Sequence, residues 1–123
     1  MTQSIFVLGR IPSKKNSRNI FVRYGKLMNI PSKQYATWHK TTSAQLMADT
    51  PQKYTKIERV ELEFYAPDKR AADLTNKAES IMDLLVDNSI IPDDNWWVIG
   101  DIRLTFRGVS KEKPGCNVII IGT

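Results

Sequence analysis

The sequence has little with which to cross-link itself, hold a soft metal or enter a membrane. Of its 123 residues one is cysteine and one is histidine. Cys116, being alone, excludes an intrachain disulfide and a cysteine-built zinc site. Its spacing with Val118 and Ile120 marks one inward face of a buried strand, so it carries no catalytic expectation. His39 sits beside Trp38 on a helical stretch, where a lone histidine reads as a packed or surface residue rather than a proton-transfer group. No apolar run approaches the roughly 20 residues of a bilayer span. The stretch MTQSIFVLGRIP lacks the charged start and cleavage site of an export signal, so a cytoplasmic protein with no membrane partner is expected. No internal repeat or low-complexity segment occurs. With 41% hydrophobic and 25% charged residues, the composition is that of one globular domain, residues 1–123, around a single core.

Acid is scarce in the first half. Residues 1–60 carry eleven Lys/Arg against Asp49 and Glu58, a net +9, whereas residues 61–123 carry seven Lys/Arg against eleven acids, a net −4. A cationic surface attracts a polyanion, while carboxylates beside it would repel that polyanion unless they held a cation. Two solvated surfaces would produce the same split. Charge alone does not decide between them.

Hydropathy periods divide the chain. Ser4–Ile11 is rich in β-branched and aromatic residues and stops at Pro12, as a strand does where a ladder donor is missing. PSKKNSRN follows as a polar turn-forming loop that projects Lys14, Lys15 and Arg18. Asn19–Tyr24 and Lys26–Ile30 flank Gly25 as a hairpin, with Arg23 and Lys26 near its tip. Ser32 can cap a helix running to about Ala48, with Tyr35, Trp38, Thr42, Gln45 and Leu46 on a shared face. Ile57–Ala66 alternates, turning Val60, Leu62 and Phe64 inward. From Asp73 to Val86 a helix buries Leu74, Ala78, Ile81 and Leu85 and turns Thr75, Asn76, Glu79, Asp83 and Asp87 outward. Pro92–Asn95 then leads to a strand over Trp96–Phe106, and Lys111–Gly115 turns into the last strand, Cys116–Ile121. The expected fold is α+β rather than regular βαβ winding: a mixed sheet with two helices packed on one face.

The chemistry gathers between Asp73 and Asp101. Asp73 at a helix start is sufficiently explained as an N-cap, and Asp93-Asp94 as turn formers. With Glu79 on the exposed helix face, the same acids could instead bring oxygen ligands to a hard cation such as Mg2+.

PDKRAADLTNKAESIMDLL followed by IIPDDNWWVIGDIRL, with IPSKKNSRN upstream, resembles the RusA family of Holliday junction resolvases. The resemblance implies a Mg2+-dependent endodeoxyribonuclease, with Mn2+ as a substitute, that cuts four-way or branched DNA as a twofold homodimer and needs no small-molecule cofactor. It implies catalytic and metal-binding roles for Asp73 and Asp94, with Asp93 as acidic neighbour. Thr75 stands where the family has a second aspartate, and Glu79 where it has a catalytic lysine. Glu79, one helical turn beyond Thr75, is expected to restore the oxygen ligand, and Lys77 or Lys69 to supply the positive charge. Expected DNA contacts are Lys14, Lys15, Asn16, Arg18, Lys69, Arg70, Asn76 and Lys77. Trp38, Trp96 and Trp97 are candidates for the subunit interface. A junction-binding protein with weak or no cleavage is the alternative that Thr75 and Glu79 motivate.

If the basic loop neutralises phosphates, joint substitution of Lys14, Lys15 and Arg18 by Ala weakens junction binding. It should also flatten the log–log salt slope by about 0.9 per lost contact. An unchanged slope in salt-titrated gel shifts would leave the loop as solvated surface.

Overall fold

A computed structural model describes residues 2–13, 18–23 and 26–123, with residues 18–31 given by their backbone alone. Its central strand is β4 (Ile57–Ala66), where alternation is strictest: Val60, Leu62 and Phe64 are buried on one side, and Glu61, Glu63 and Tyr65 lie half-buried on the other. Strand β1 (Thr2–Leu8) pairs antiparallel with β6 (Gly115–Gly122), β6 pairs antiparallel with β4, and β4 pairs parallel with β5 (Ile102–Val109). The sheet order is therefore β1-β6-β4-β5. Its register aligns Val7, Cys116, Phe64 and Phe106 in one row and Ile5, Val118, Leu62 and Leu104 in the next. Strands β2 (Arg18–Arg23) and β3 (Lys26–Pro31) form the expected hairpin as a separate two-stranded sheet. Its turn residues, 24 and 25, lie outside the described residues.

Both helices join the core on that inward face. Helix α1 (Lys33–Ala48) is capped by the Ser32 hydroxyl, which accepts from the Tyr35 N–H, and contributes Leu46. Helix α2 (Leu74–Asp87) contributes Ala78, Ile81, Leu84 and Leu85, three of them with no exposed surface. Polar contacts join the two helices: the Tyr35 hydroxyl donates to Asp83 at 2.5 Å, His39 lies 2.9 Å from Asp87, and Asn88 donates to Ser43. Burial pushes the Cys116 thiol up to about 12, so it remains an inert core thiol. The α+β class, the mixed sheet and the two helices agree with the sequence expectation.

Two elements depart from their expected bounds by more than two residues, each for a local reason. β1 ends at Leu8 because Gly9 adopts φ 101° and turns its N–H to the Pro114 carbonyl at 2.8 Å. Trp96–Phe106 is not one strand. The Asn95 side chain accepts from the Trp97 and Val98 N–H groups, and its carbonyl accepts from those of Val98 and Ile99. This capped helical turn competes with the ladder, so after one bridge at Ile99 the strand begins only at Ile102 and runs on to Val109. Parallel β5 makes β4-α2-β5 a single βαβ unit inside the α+β fold.

Gly115 sits at φ +143°, and a Cβ there would lie 2.1 Å from the backbone carbonyl oxygen of Val7. Gly115→Ala must part β1 from β6, so it should destabilise the fold by on the order of 1–3 kcal/mol. A melting temperature within a degree of the parent's would contradict this.

Candidate nuclease site

Asp73 follows the end of β4 across a six-residue connection and caps the start of α2. Its Oδ1 accepts from the Thr75 N–H at 3.1 Å and from the Thr75 hydroxyl at 2.8 Å. Thr75 is therefore turned onto Asp73. Glu79, about 9 Å further along the axis, is exposed and makes no hydrogen bond or ion pair among the described residues.

Two side chains from the same helix hold the chain just ahead of the basic loop. Lys77 Nζ donates to the Ile11 carbonyl at 2.5 Å, and the fully buried Ser80 hydroxyl donates to the Pro12 carbonyl at 2.6 Å. Burial, and then the nearby Arg10 charge, lowers the pKa of Lys77. Its ammonium is thus committed to a structural contact. Asn76 is half-buried in the first turn, whereas Lys14, Lys15, Asn16 and the side chain of Arg18 lie outside the described residues.

The turn after β4 is organised by Asp68. It accepts from the Arg70 N–H at 3.0 Å, from the Arg70 guanidinium at 2.9 and 3.1 Å, and from the Arg10 guanidinium at 2.5 Å. Those bonds, Arg70's first, hold its carboxyl far below the usual carboxylate range. The result is two guanidinium groups fixed side by side next to exposed Lys69, at the Asp73 end of the sheet. Lys69 and Arg70 are among the expected DNA contacts; Arg10 is not, its only signal in the sequence being its place directly before IPSKKN.

Asp93 and Asp94 stand elsewhere. Asp93 accepts from the Asp94 N–H and from Asn95 Nδ2, both at 2.8 Å, and these bonds, Asn95's first, lower its pKa. Asp94 is exposed, and Trp96 and Trp97 beside it are 81% and 84% exposed. This loop is anchored to the start of β4: Ile90 accepts from the Tyr54 N–H, Ile99 bridges Ile57, and Asp101 accepts from the Val60 N–H. Asp73 follows the other end of that strand, about 30 Å away at 3.3 Å per residue. The six residues between Ile91 and Val98 can reach out only about 10 Å and return. One chain therefore does not bring Asp94 to Asp73, contrary to the expectation that these acids bring their oxygen ligands to one cation.

The family model described as Endodeoxyribonuclease RusA matches residues 11–121. This chain belongs to the RusA family. The match runs from the Ile11 latch into β6, so it covers both acidic ends, and it makes the chain a member of the junction-resolving endodeoxyribonucleases, whose substrate is branched DNA. No curated protein matches at a significant level.

Nucleases of this kind use a divalent metal. Among the described residues of this RusA chain, the group whose ligand atoms all lie within 4.8 Å is His39, Asp83 and Asp87. Those atoms are engaged in the α1–α2 contacts described above, roughly 15–20 Å along α2 from Asp73. Periodicity in the sequence puts Asp83 and Asp87 on the polar face of α2 but carries no sign of His39 as their partner on α1.

Asp68 gives a pH test of the arginine clamp. A carboxylate whose folded pKa is depressed contributes stability above its unfolded value and loses it as pH falls through the folded value. Asp68→Asn should therefore melt below the parent at pH 7, with the gap beginning to narrow below about pH 4 and continuing to narrow below pH 3. A gap that stays constant from pH 7 to 3 would show that Asp68 acts by shape and not by charge.

Proposed function

We propose that residues 1–123 act as one Mg2+-dependent, structure-selective endodeoxyribonuclease domain that resolves Holliday junctions in DNA recombination and repair. It works as a twofold homodimer in which each site joins Asp73 of one protomer to Asp94 of the other. The observation that carries this reading is the separation of the two acids to opposite ends of β4. A junction needs two symmetric cuts, and a C2 interface sets each patch against its counterpart on the partner. An interface that brings the Asp94 loop to the partner's Asp73 end forms two equivalent sites at once. Trp96 and Trp97 offer the apolar area such a contact would cover.

The donor set suits Mg2+. Asp73 and Glu79 present exposed carboxylates from one protomer, and the partner's Asp94 would add another. Mg2+ is typically held by one or two carboxylates, retained waters and substrate phosphates, so a single chain need not contain a closed trio of ligands. Held by these carboxylates, Mg2+, or Mn2+ in its place, would supply charge neutralisation at the phosphate and activation of water. Arg10 and Arg70, fixed by Asp68, hold phosphates flanking the cut, with Lys69, Asn76 and the loop residues Lys14, Lys15, Asn16 and Arg18 extending that track. Asp93 positions Asp94 by accepting its N–H. The binding-only alternative is favoured by one observation: Thr75 offers no carboxylate and spends its hydroxyl on Asp73.

Mixing two inactive variants tests the reading. Asp73→Asn and Asp94→Asn should each slow nicking of a four-way junction on the order of a hundredfold or more while leaving gel-shift affinity intact. Mixed and re-equilibrated one to one, half of the dimers carry one intact site, so about a quarter of parental nicking should return. No recovery despite subunit exchange would mean that each site lies within one chain. A parent that retains junctions but does not nick them in Mg2+ or Mn2+ would be a binding protein.

A further inference from the structure

Beside the arginine clamp the chain has a cleft that neither the core nor the acids account for. It encloses about 690 Å³ between the end of β4, the 67–72 turn, the first turns of α2 and the edge strand β5. Its walls are Ile11, Phe64, Leu74, Phe106 and Val109, and its mouth carries Arg10, Lys69 and Arg70. Phe106 is 58% exposed and Val109 46% exposed, although Phe64, the β4 partner of Phe106, is buried. An aromatic ring left open at a sheet edge loses apolar burial. Here it does so in a cleft whose lining also includes Arg10, Lys69 and Arg70, next to the helix that starts at Asp73.

That combination identifies the occupant. The cleft lining holds Arg10, Lys69, Arg70 and Lys77 against Asp68, a net +3, which favours an anion-bearing ligand over an apolar peptide or a like-charged surface. The apolar interior offers a ring face and no array of polar groups, as suits a flat heterocycle bound by stacking without reading its edge. We propose that this cleft receives one unstacked nucleobase of the branched DNA, its ring against Phe106 and its phosphate on Arg10 and Arg70. At a branch point bases give up stacking partners more cheaply than in duplex, so a base pocket beside the cutting site would favour junctions over linear DNA. This inference rests on the nuclease reading above, but its test does not require cleavage.

Junction affinity is measured in EDTA for the parent, Phe106→Ala and Phe106→Tyr, each on intact junctions and on junctions with a single abasic nucleotide stepped through the branch point. Phe106 is half exposed, so the fold should survive, and equal melting temperatures check this. The parent should lose about tenfold in affinity when the base at one position is removed, the scale of one base–aromatic stack. Phe106→Ala should lose the same amount on the intact junction and nothing further on that abasic one. Phe106→Tyr should behave as the parent, and all three should bind linear duplex alike. Parental junction affinity in Phe106→Ala would overturn the pocket, as would losses that simply multiply with the abasic change. A change in sedimentation with equal loss of junction and duplex binding would overturn it too, by assigning Phe106 to a contact between copies. Nicking of the junction by the parent in Mg2+ is scored separately, so failure of the pocket and failure of the nuclease reading are distinguishable.

Discussion

The parallel pairing of β4 with β5 is the constraint on which the arrangement depends. Antiparallel neighbours can be joined by a tight turn, but parallel ones need a crossover that returns the chain along the length of the strand. Helix α2 is that crossover. Whatever enters α2 must then sit at the end of β4, and whatever leaves it must sit at the start of β5. Asp73, the arginine clamp and the apolar cleft share the first end; Asp94 and the exposed Trp96-Trp97 pair occupy the second. On the proposed reading, a nuclease centre that uses both acids draws on two protomers, and a substrate with twofold symmetry makes such a dimer economical.

The Asp73 end is held by contacts that join distant parts of the chain. Lys77 and Ser80 reach back to Ile11 and Pro12, and Asp68 ties Arg10 to Arg70. A buried hydroxyl that satisfies a carbonyl contributes mainly by avoiding an unpaired group. Exposed ion pairs contribute little to stability. What the Asp68 clamp provides is position: two planar guanidinium groups are kept at one place. At the far end Asn95 performs a similar service through a helical turn that leaves both indole rings outside the core.

Much of this was legible in the sequence, and the parts that were not share a cause. Ile57–Ala66 was placed to the residue because period two survives along its whole length. Helix α2 was placed within one residue because Asp73 caps it and a continuous apolar stripe follows. The α+β class and the RusA resemblance agree with the fold and the family match. Strand direction, however, leaves no local trace: nothing in Ile102–Val109 says that it runs parallel to β4, so acids at opposite ends read as one cluster. Trp96–Ile99 looked like strand because its residues are β-formers, yet the Asn95 side chain offered the backbone a nearer acceptor. Arg10, Lys77 and Ser80 were invisible as positioning residues because their partners lie 58 to 68 positions away.

The central claim is that metal binding belongs to the dimer and not to the chain. It is tested most directly by titrating Mn2+ and following free ion by electron paramagnetic resonance, at protein concentrations spanning the monomer–dimer transition fixed by sedimentation. The account predicts two equivalent tight sites per dimer that disappear in step with dissociation, and that Asp94→Asn removes without altering the dimer. Equal Mn2+ affinity in monomer and dimer, at a site sensitive to Asp73 but indifferent to Asp94, would contradict it.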